Sequence, residues 1–218
     1  MKQTHTLRNY LALAGSSLLM LSSAHAATIV GFEAEDGNVP FSTNNFEGWR
    51  LETNAAALGG EAIWPEYENF SSPTLPGDAD GVISYDVTFA VGAEYDLYAR
   101  LMRPSTRTQA DSLFFDTTFG AADSWQSIQL TAANLPLDTF VWINLSDLGS
   151  STFTATAGTS TVNLAARERR LRFDSFAFGT TADRATITDT DLSNAVIPEP
   201  STALLGAIGL LALLRRRR

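Results

Sequence analysis

The side chains that could do chemistry in the middle of this chain are carboxylates, arginines, amides, hydroxyls and aromatic rings. Both histidines, His5 and His25, and the only lysine, Lys2, lie within the first 26 residues, and there is no cysteine. After residue 26, a serine–histidine–aspartate triad, a cysteine nucleophile or a Schiff-base lysine therefore cannot form. Zinc and copper sites lose their preferred ligands for the same reason.

Catalysis would have to use carboxylates alone, as in glycoside hydrolases, where two acidic groups flank the bond that breaks. Residues 27–197 hold 23 carboxylates, which is every one of the 24 in the chain except Glu199. Some pair among so many will lie at a suitable distance by chance, so the pattern does not indicate an enzyme. We expect no enzymatic activity.

Glu33 and Glu35 are the first candidate binding pair. Because they are two positions apart on a predicted strand, their side chains share a face, and two such carboxylates repel each other unless positive charge lies between them. Calcium, which takes oxygen ligands, would supply that charge. A neighbouring arginine, for which Arg172 is available, or simple exposure would also relieve the repulsion. The segment 78–81 (DADG) begins like an EF-hand loop but lacks the later ligands, and we interpret it as a turn.

Aromatic rings beside polar groups form the second candidate site. Sugars stack their C–H faces on rings, and their hydroxyls need hydrogen-bond partners. The candidate ligand-binding residues are Trp64, Tyr67, Trp125, Trp142 and Asn144. Burial in the core is the competing interpretation for each ring alone. We expect at least one of the four tryptophans, Trp49 included, to be an exposed platform.

The charge of the central region argues against one class of partner. Residues 27–197 carry nine arginines against the 23 carboxylates, a net charge of −14. Such a surface repels phosphate backbones, so we expect no nucleic-acid binding. Without cysteine no disulfide can form, and the fold must be held by its core.

The elements that must position these groups are predicted to be strands. Residues 82–89 and 94–103 alternate apolar and polar side chains with period two, which is typical of half-buried strands. Further candidate strands are 28–34, 112–117, 125–130, 139–146, 151–157, 160–166 and 171–178. Glycine, proline and aspartate lie between several of them. The pattern predicts an all-β protein with an antiparallel β-sandwich or barrel. Residues 44–75 are predicted to form a loop because they show little periodicity, and residues 180–197 are predicted to form a linker.

The two ends of the chain carry targeting signals. A positive segment, an apolar run (residues 11–21) and a small-residue site ending at Ala26 have the layout of a secretory signal peptide over residues 1–26. At the other end, 14 uncharged residues, 201–214, precede four arginines. Such a run spans roughly 21 Å as a helix, short of the ~20 residues usual for crossing a bilayer. The arginines would hold that end at the cytoplasmic side.

This C-terminal segment resembles the PEP-CTERM sorting signal. The residues that carry the resemblance are Pro198, Glu199, Pro200, Arg215, Arg216, Arg217 and Arg218. The resemblance implies recognition by an exosortase, a Gram-negative producer that often makes exopolysaccharide, and a transient inner-membrane anchor before release to the cell surface or extracellular matrix. A plain tail anchor is the alternative.

The region 27–179 resembles carbohydrate-binding modules of families 6 and 35. The resemblance lies in residues 32–35 (FEAE), 81–100, 111–115 followed by Trp125, and 162–178. It implies a β-jelly roll, non-catalytic glycan binding and a structural calcium ion with Glu33, Glu35 and Asp174 as ligands. Two departures stand out: residues 36–80 match poorly, and Arg169-Arg170 follows Arg167-Glu168 where many related modules have Asp-Gly.

The expected organisation is a signal peptide (1–26), a jelly-roll domain (27–179), a linker (180–197) and the sorting tail with its membrane helix (198–218). The leading hypothesis is an exported, non-catalytic protein that binds polysaccharide and carries a structural calcium ion. The alternative is a structural matrix protein that keeps the same fold without affinity for glycans.

Overall fold

A computed structural model describes residues 28–41, 48–66, 81–119, 125–149 and 151–196 of the chain. The predicted signal peptide, Tyr67, the segment 78–80 and the sorting-tail residues Pro198–Arg218 lie outside the described residues.

The described residues form two antiparallel sheets. The seven-stranded sheet has the order β2-β3-β11-β5-β8, with β1 also paired to β11 and β9 to β5. Its strands are β1 (Ile29–Glu33), β2 (Trp49–Thr53), β3 (Glu61–Pro65), β5 (Ala93–Met102), β8 (Val141–Asn144), β9 (Phe153–Ala155) and β11 (Arg172–Thr180). The four-stranded sheet has the order β4-β10-β6-β7. Its strands are β4 (Val82–Phe89), β6 (Ser112–Asp116), β7 (Trp125–Gln129) and β10 (Gly158–Ala166).

The core lies between the inner faces of the two sheets. In β4 the alternation works as expected: Ile83, Tyr85, Val87 and Phe89 are buried, whereas Asp86 and Thr88 are exposed. The central strand β11 contributes a row of aromatic rings, and Phe178 packs edge-on against Phe153 with ring centroids 5.1 Å apart. The sequence prediction of an all-β antiparallel sandwich is confirmed.

The loop predicted over residues 44–75 is corrected by the structure, since β2 and β3 lie within it. These strands have five residues each and pair with each other at the end of the seven-stranded sheet. At that edge Leu51 is 48% exposed while Trp49 is 1% exposed. Apolar residues therefore occur at positions of very different exposure, which hides the period-two pattern.

The strand predicted at 139–146 is shorter than expected. It ends at Asn144, where the short helix α1 (Leu145–Gly149) begins. The Asn144 side chain accepts a hydrogen bond from the backbone N–H of Asp147 (3.2 Å). Asparagine is a preferred residue for ending an extended segment and capping a helix in this way.

The linker predicted over residues 180–197 is also corrected. It contains a 3₁₀ turn (Thr181–Asp183) and the helix α2 (Asp189–Val196). Thr188 and Asp191 bond each other reciprocally at the start of α2, at 2.9 Å and 3.3 Å, in the manner of a capping box. None of the helices in the described ranges is long and apolar enough to cross a membrane.

Helix α2 packs on the outer face of the seven-stranded sheet. Leu192 and Val196, one helical turn apart, are 2% and 6% exposed. A side-chain carbon at Gly31 of β1 would lie only 2.7 Å from the backbone nitrogen of Val196, so the glycine permits this close approach. The segment that precedes α2 is fixed by Arg184, whose guanidinium bonds the fully buried carboxylate of Asp96 at 2.5 and 2.6 Å.

Candidate functional site

The carboxylates predicted to bind calcium lie where β1 ends. Glu33 is the last residue of β1, but Glu35 lies in the 3₁₀ turn Ala34–Asp36 and not on the strand, so the predicted strand spacing of the pair is wrong. Glu33 faces outward and accepts a hydrogen bond from Ser175 Oγ of β11 (3.1 Å). Burial, followed by the negative charge of Glu35, raises the pKa of Glu33 to about 7. Burial also raises the pKa of Glu35. A proton or a cation is therefore more favourable beside these groups than at an ordinary exposed glutamate.

Asp174 is the extra residue at a register shift in β11, between Phe173 and Ser175. Its side chain is fully buried and forms an ion pair with Arg100. Burial raises the pKa of Asp174, although Arg100 acts in the opposite direction. Arg100 therefore neutralises Asp174, whereas Arg172, which was considered as the neighbour of Glu33 and Glu35, pairs with Glu52 at 2.8 Å.

The acidic residues fit a calcium ion in their chemistry. Two buried oxygens, Oε2 of Glu35 and Oδ1 of Asp174, have no hydrogen-bond partner within the described part of the chain. The β2–β3 loop lies directly over the cluster, since a side-chain carbon on Gly59 would be 2.8 Å from Glu33 Oε1. No three carboxylates in the described ranges converge into a metal-binding group. The assignment of Glu33, Glu35 and Asp174 as calcium ligands stays a prediction.

The outer face of the four-stranded sheet presents a row of polar groups that crosses all four strands. The strand pairing places Ser84 of β4 opposite Asn163 of β10, and Asp116 of β6 opposite Trp125 of β7. Ser84 Oγ donates to Asn163 Oδ1 (2.8 Å), and Asn163 Nδ2 donates to Asp116 Oδ2 (3.3 Å). We call these four residues the transverse row.

The transverse row joins an aromatic ring to amide, hydroxyl and carboxylate groups. Trp125, Ser84 and Asn163 are half-buried, while Asp116 is 3% exposed. Beside the row, the exposed pairs Asp86–Thr161 (3.1 Å) and Thr88–Thr159 (2.9 Å) extend the polar surface along β4 and β10. A tryptophan ring can stack against one face of a sugar, and the fixed donors and acceptors beside it can bond the sugar hydroxyls.

Trp142 and Asn144 lie on the outer face of the other sheet, as the alternation of β8 predicts, but they are used within the fold. Trp142 Nε1 donates to Ser193 Oγ of α2 (3.1 Å), and the ring packs in a cluster with Leu192. Asn144 caps α1. Helix α2 therefore covers the surface on which Trp142 was expected to stand free.

The other predicted aromatic residues have different environments. Trp49 is 1% exposed and packs edge-on against Phe173 in the core. Trp64 is half-buried at the end of β3, with the guanidinium carbon of Arg170 5.3 Å from its ring centroid. Tyr67 and the sorting-motif residues lie outside the described residues.

Three members of the transverse row, Ser84, Asn163 and Asp116, were not predicted from the sequence. The alternation of β4 does place Ser84 on the polar side, and the same holds for Asn163 in β10. Their meeting depends on the register of four strands that are far apart in the chain. No local pattern contains that register.

Two cavities lie elsewhere in the described part of the chain. One of about 340 Å³ opens between β1 and β4, beside Phe32, Tyr85 and Asp86. The other, of about 600 Å³, lies beside Val91, Glu94 and Asp183. Neither is lined by a tryptophan, so neither coincides with a predicted aromatic site.

Comparison with known families identifies the C-terminal segment. Residues 196–218 match the PEP-CTERM protein-sorting motif. The chain therefore carries this motif, which indicates an exported protein sorted to the cell envelope. No curated protein matches the chain.

Solved structures similar to the chain include carbohydrate-binding modules. The C-terminal CBM6 of LamC, a marine laminarinase from Zobellia galactanivorans, is 14% identical, with a TM-score of 0.46, over 70% of this chain and 99% of that one. The module CBM6cm-2 from Cellvibrio mixtus lichenase 5A, in complex with cellotriose, is 17% identical, with a TM-score of 0.44, over 70% and 97%.

A multidomain enzyme is also similar. The Podospora anserina GH26-CBM35 β-(1,4)-mannanase is 15% identical with a TM-score of 0.42, over 71% of this chain. The match covers only 28% of the length of that mannanase. All of these TM-scores are below 0.5, so the assignment of the sandwich rests on the strand pairing described above.

Proposed function

We propose that this chain is an exported, non-catalytic protein that binds polysaccharide on the outer face of its four-stranded sheet. The transverse row is the observation that carries the proposal. Trp125 would stack against the C–H face of a sugar ring. Ser84 and Asn163 would bond its hydroxyls, while Asp116, which is 3% exposed, would hold the Asn163 amide in place by accepting its hydrogen bond (3.3 Å).

The four-stranded sheet is the favoured binding face because less of the fold covers its outer side than covers that of the seven-stranded sheet. Helix α2 and the β2–β3 loop lie on the outer face of the seven-stranded sheet, where Trp142 Nε1 and Arg100 already have partners within the fold. On the four-stranded sheet the polar ladder of Asp86, Thr88 and their partners on β10 is exposed. A long polymer can lie along such an open face without a deep pocket.

The sorting motif indicates where this polysaccharide binding would take place. The PEP-CTERM motif at residues 196–218 supports processing by an exosortase after a stage in the inner membrane. We infer that the producer is a Gram-negative bacterium and that the processed protein stays at the cell surface or in an extracellular polysaccharide matrix. Retention by polysaccharide would then replace retention by the tail.

A structural calcium ion is part of the proposal. Glu33, Glu35 and Asp174, which do not converge in the structure, would draw together around it, with backbone carbonyls completing the shell. Support comes from the two buried carboxylate oxygens without hydrogen-bond partners and from the raised pKa of Glu33. The ion would stabilise the fold, since this cluster lies on the opposite sheet from the transverse row.

The test is binding of the full chain, purified in mild detergent, to a panel of polysaccharides with and without Ca²⁺. Trp125→Ala and Asn163→Ala should each weaken binding roughly tenfold, the loss expected for one stacking or hydrogen-bonding contact of about 1.4 kcal/mol. Trp142→Phe, which alters an indole on the covered face, is the matched control and should bind as the wild type does. Melting temperatures show that each variant is folded.

Two results would contradict the proposal. If the Trp125→Ala and Asn163→Ala variants are folded and keep full affinity, the transverse row is not the binding site. A wild-type chain that binds nothing on a broad panel would favour the structural matrix protein without glycan affinity. Release of reducing ends from any polysaccharide would show an enzyme instead.

A further inference from the structure

The turn that joins β10 to β11 concentrates positive charge in an acidic domain. It contains Arg167, Arg169 and Arg170, and Arg50 of the adjacent strand β2 lies beside it across Glu66. We call these four residues the arginine cluster. It holds four of the nine arginines of a region whose net charge is −14. Such a concentration is unexpected on a surface that is otherwise acidic.

Arg170 is held in a conformation that arginine disfavours. Its φ is 71°, in the left-handed region that glycine adopts most easily. Its backbone N–H donates to the carbonyl of Pro65 (2.9 Å), and its guanidinium lies 5.3 Å from the ring centroid of Trp64. No carboxylate of the described residues forms an ion pair with it. The strained backbone therefore fixes an uncompensated positive charge over an aromatic ring.

Glu66 only partly neutralises the cluster. Its carboxylate lies 3.7 Å from Arg169 and 3.4 Å from Arg50, so Arg169 shares this partner with a second arginine. The Arg169 side chain is 37% exposed. The remaining carboxylate of the turn, Glu168, accepts a hydrogen bond from the backbone of Asp111 (2.7 Å). The three arginines of the turn therefore outnumber Glu168 and the shared Glu66, and Arg169 is partly open to solvent.

One member of the arginine cluster, Arg167, lies toward the transverse row, whereas Arg50 and Arg170 lie beside strands of the seven-stranded sheet. The guanidinium of Arg167 lies 6.0 Å from the ring centroid of Phe114. Phe114 precedes Asp116 by two positions on β6 and shares its outer face, so the two side chains are separated by about 7 Å along the strand. A polymer that extends along β6 from Trp125 and Asp116 toward Phe114 would therefore meet Arg167 roughly 7–13 Å further on.

We propose that the arginine cluster recognises the anionic groups of an acidic polysaccharide, carboxylate or sulfate, and that Trp64 holds Arg170 in position for this contact. The planar guanidinium fork matches both oxyanions and binds them in bidentate fashion. This inference rests on the proposed function, because it names the class of polysaccharide that the transverse row would bind. Trp64 is then a positioning residue, since Arg170 already covers one side of its ring.

The test compares three probes that share one backbone: dextran, carboxymethyl dextran and dextran sulfate. The full chain in mild detergent is run by affinity electrophoresis in gels that contain each polymer, at low and at physiological salt. Retardation by at least one charged dextran, and not by dextran itself, is expected. The carboxymethyl and sulfate arms decide which oxyanion is preferred.

Arg169→Gln/Arg170→Gln should lower affinity for the charged dextran at least tenfold. Arg170→Gly provides a second variant that removes the guanidinium while relieving the left-handed backbone, so a loss of binding there does not reflect misfolding. Thr156→Asp/Ala157→Asp lowers the net charge by the same two units at the other end of β10, about 27 Å away, and is the matched control. It should keep the wild-type affinity.

The outcomes separate this inference from the proposed function. If the wild type binds a neutral polysaccharide through Trp125 but does not distinguish charged from neutral dextran, the arginine cluster is not an anion site and the proposed function stands. Equal losses in the control variant would also overturn the inference, because the effect would then be long-range charge alone. If no polysaccharide of any charge binds, both proposals fall.

Discussion

Among individual side chains, Glu33 lies in an environment that differs clearly from that of an exposed carboxylate. It is half-buried, lies near the negative charge of Glu35 and has a single neutral partner, Ser175. Its pKa of about 7 compares with an ordinary value of 4.5. A carboxylate in this state favours a proton at low pH and would favour a cation at high pH.

The pH dependence of stability follows from this shift. Between pH 4.5 and 7 folded Glu33 keeps a proton that the unfolded chain has lost, so the free energy of unfolding falls as the pH rises. We expect a loss on the order of 1–2 kcal/mol in EDTA, less than the full shift implies, because solvent screens a half-exposed group. Thermal melts from pH 5 to pH 8 measure it, and Glu33→Gln should flatten the profile.

Calcium should reverse that trend, because it binds the ionised carboxylate. The rise in melting temperature on adding Ca²⁺ is therefore expected to be larger at pH 8 than at pH 5. Glu94→Gln, at an exposed glutamate of β5, is the control and should behave as the wild type does. An identical melting temperature with Ca²⁺ and with EDTA at pH 8 would show that the protein has no stabilising calcium site.

Among the structural elements, α2 packs in a place that depends on a small residue, Gly31. It lies on β1 and β11, and its last turn meets the backbone of Gly31. Arg184 fixes the segment before it by bonding Asp96 and, at 2.6 Å, Asp147. The helix thus belongs to the sandwich by packing and by charge.

Gly31→Ala should therefore displace α2. The added carbon would meet the Val196 nitrogen at 2.7 Å and the Ala195 carbonyl carbon at 2.8 Å, contacts with backbone that cannot rotate away. We expect a destabilisation of about 1–3 kcal/mol in urea titration. We also expect faster hydrogen exchange in residues 189–196, because the helix loses its docking surface.

Gly92→Ala is the matched control, since its added carbon would have no neighbour closer than 3.5 Å. It should leave stability unchanged or raise it by up to about 1 kcal/mol, because alanine restricts the unfolded chain. Equal destabilisation by the two alanine variants would mean that contact with α2 is not the cause.

The elements also explain what could be predicted from the sequence. Residues 82–89 were predicted and found as a strand, because their alternation reflects one buried and one exposed face. β2 and β3 were missed, since at the end of a sheet burial no longer alternates. The capping pair Thr188 and Asp191 is a local sequence signal for the start of α2, and strand periodicity does not contain it. The transverse row needed the register of four strands, which only the assembled sandwich provides.

At the scale of the whole molecule, the sorting tail is joined almost directly to the folded domain. Val196 ends α2 and is 6% exposed, and only Ile197 separates it from Pro198 in the sequence. Two residues reach at most about 7 Å. A membrane-bound processing enzyme would therefore have to work close to the body of the domain.

A Gly-Ser insertion between Val196 and Ile197 should accelerate removal of the tail. We expect at least a twofold higher rate in the producing bacterium, because the cut site would no longer lie beside the docked helix. Mass spectrometry of the shortened form in a pulse–chase experiment measures the rate. The same insertion between Ala157 and Gly158, in the turn before β10, is the control. An unchanged rate would indicate that the docked helix does not limit access.

If the tail is anchored in a bilayer as proposed, the docking of α2 would give the molecule a side near the membrane and a side away from it. Because α2 packs on the seven-stranded sheet, that sheet would be the nearer one, and Trp125 and Arg167 would face the medium. Tension between a gripped polymer and the anchor would run through the thickness of the sandwich. Leu192 and the Arg184–Asp96 pair would bear that load first, before any strand is pulled from its neighbour.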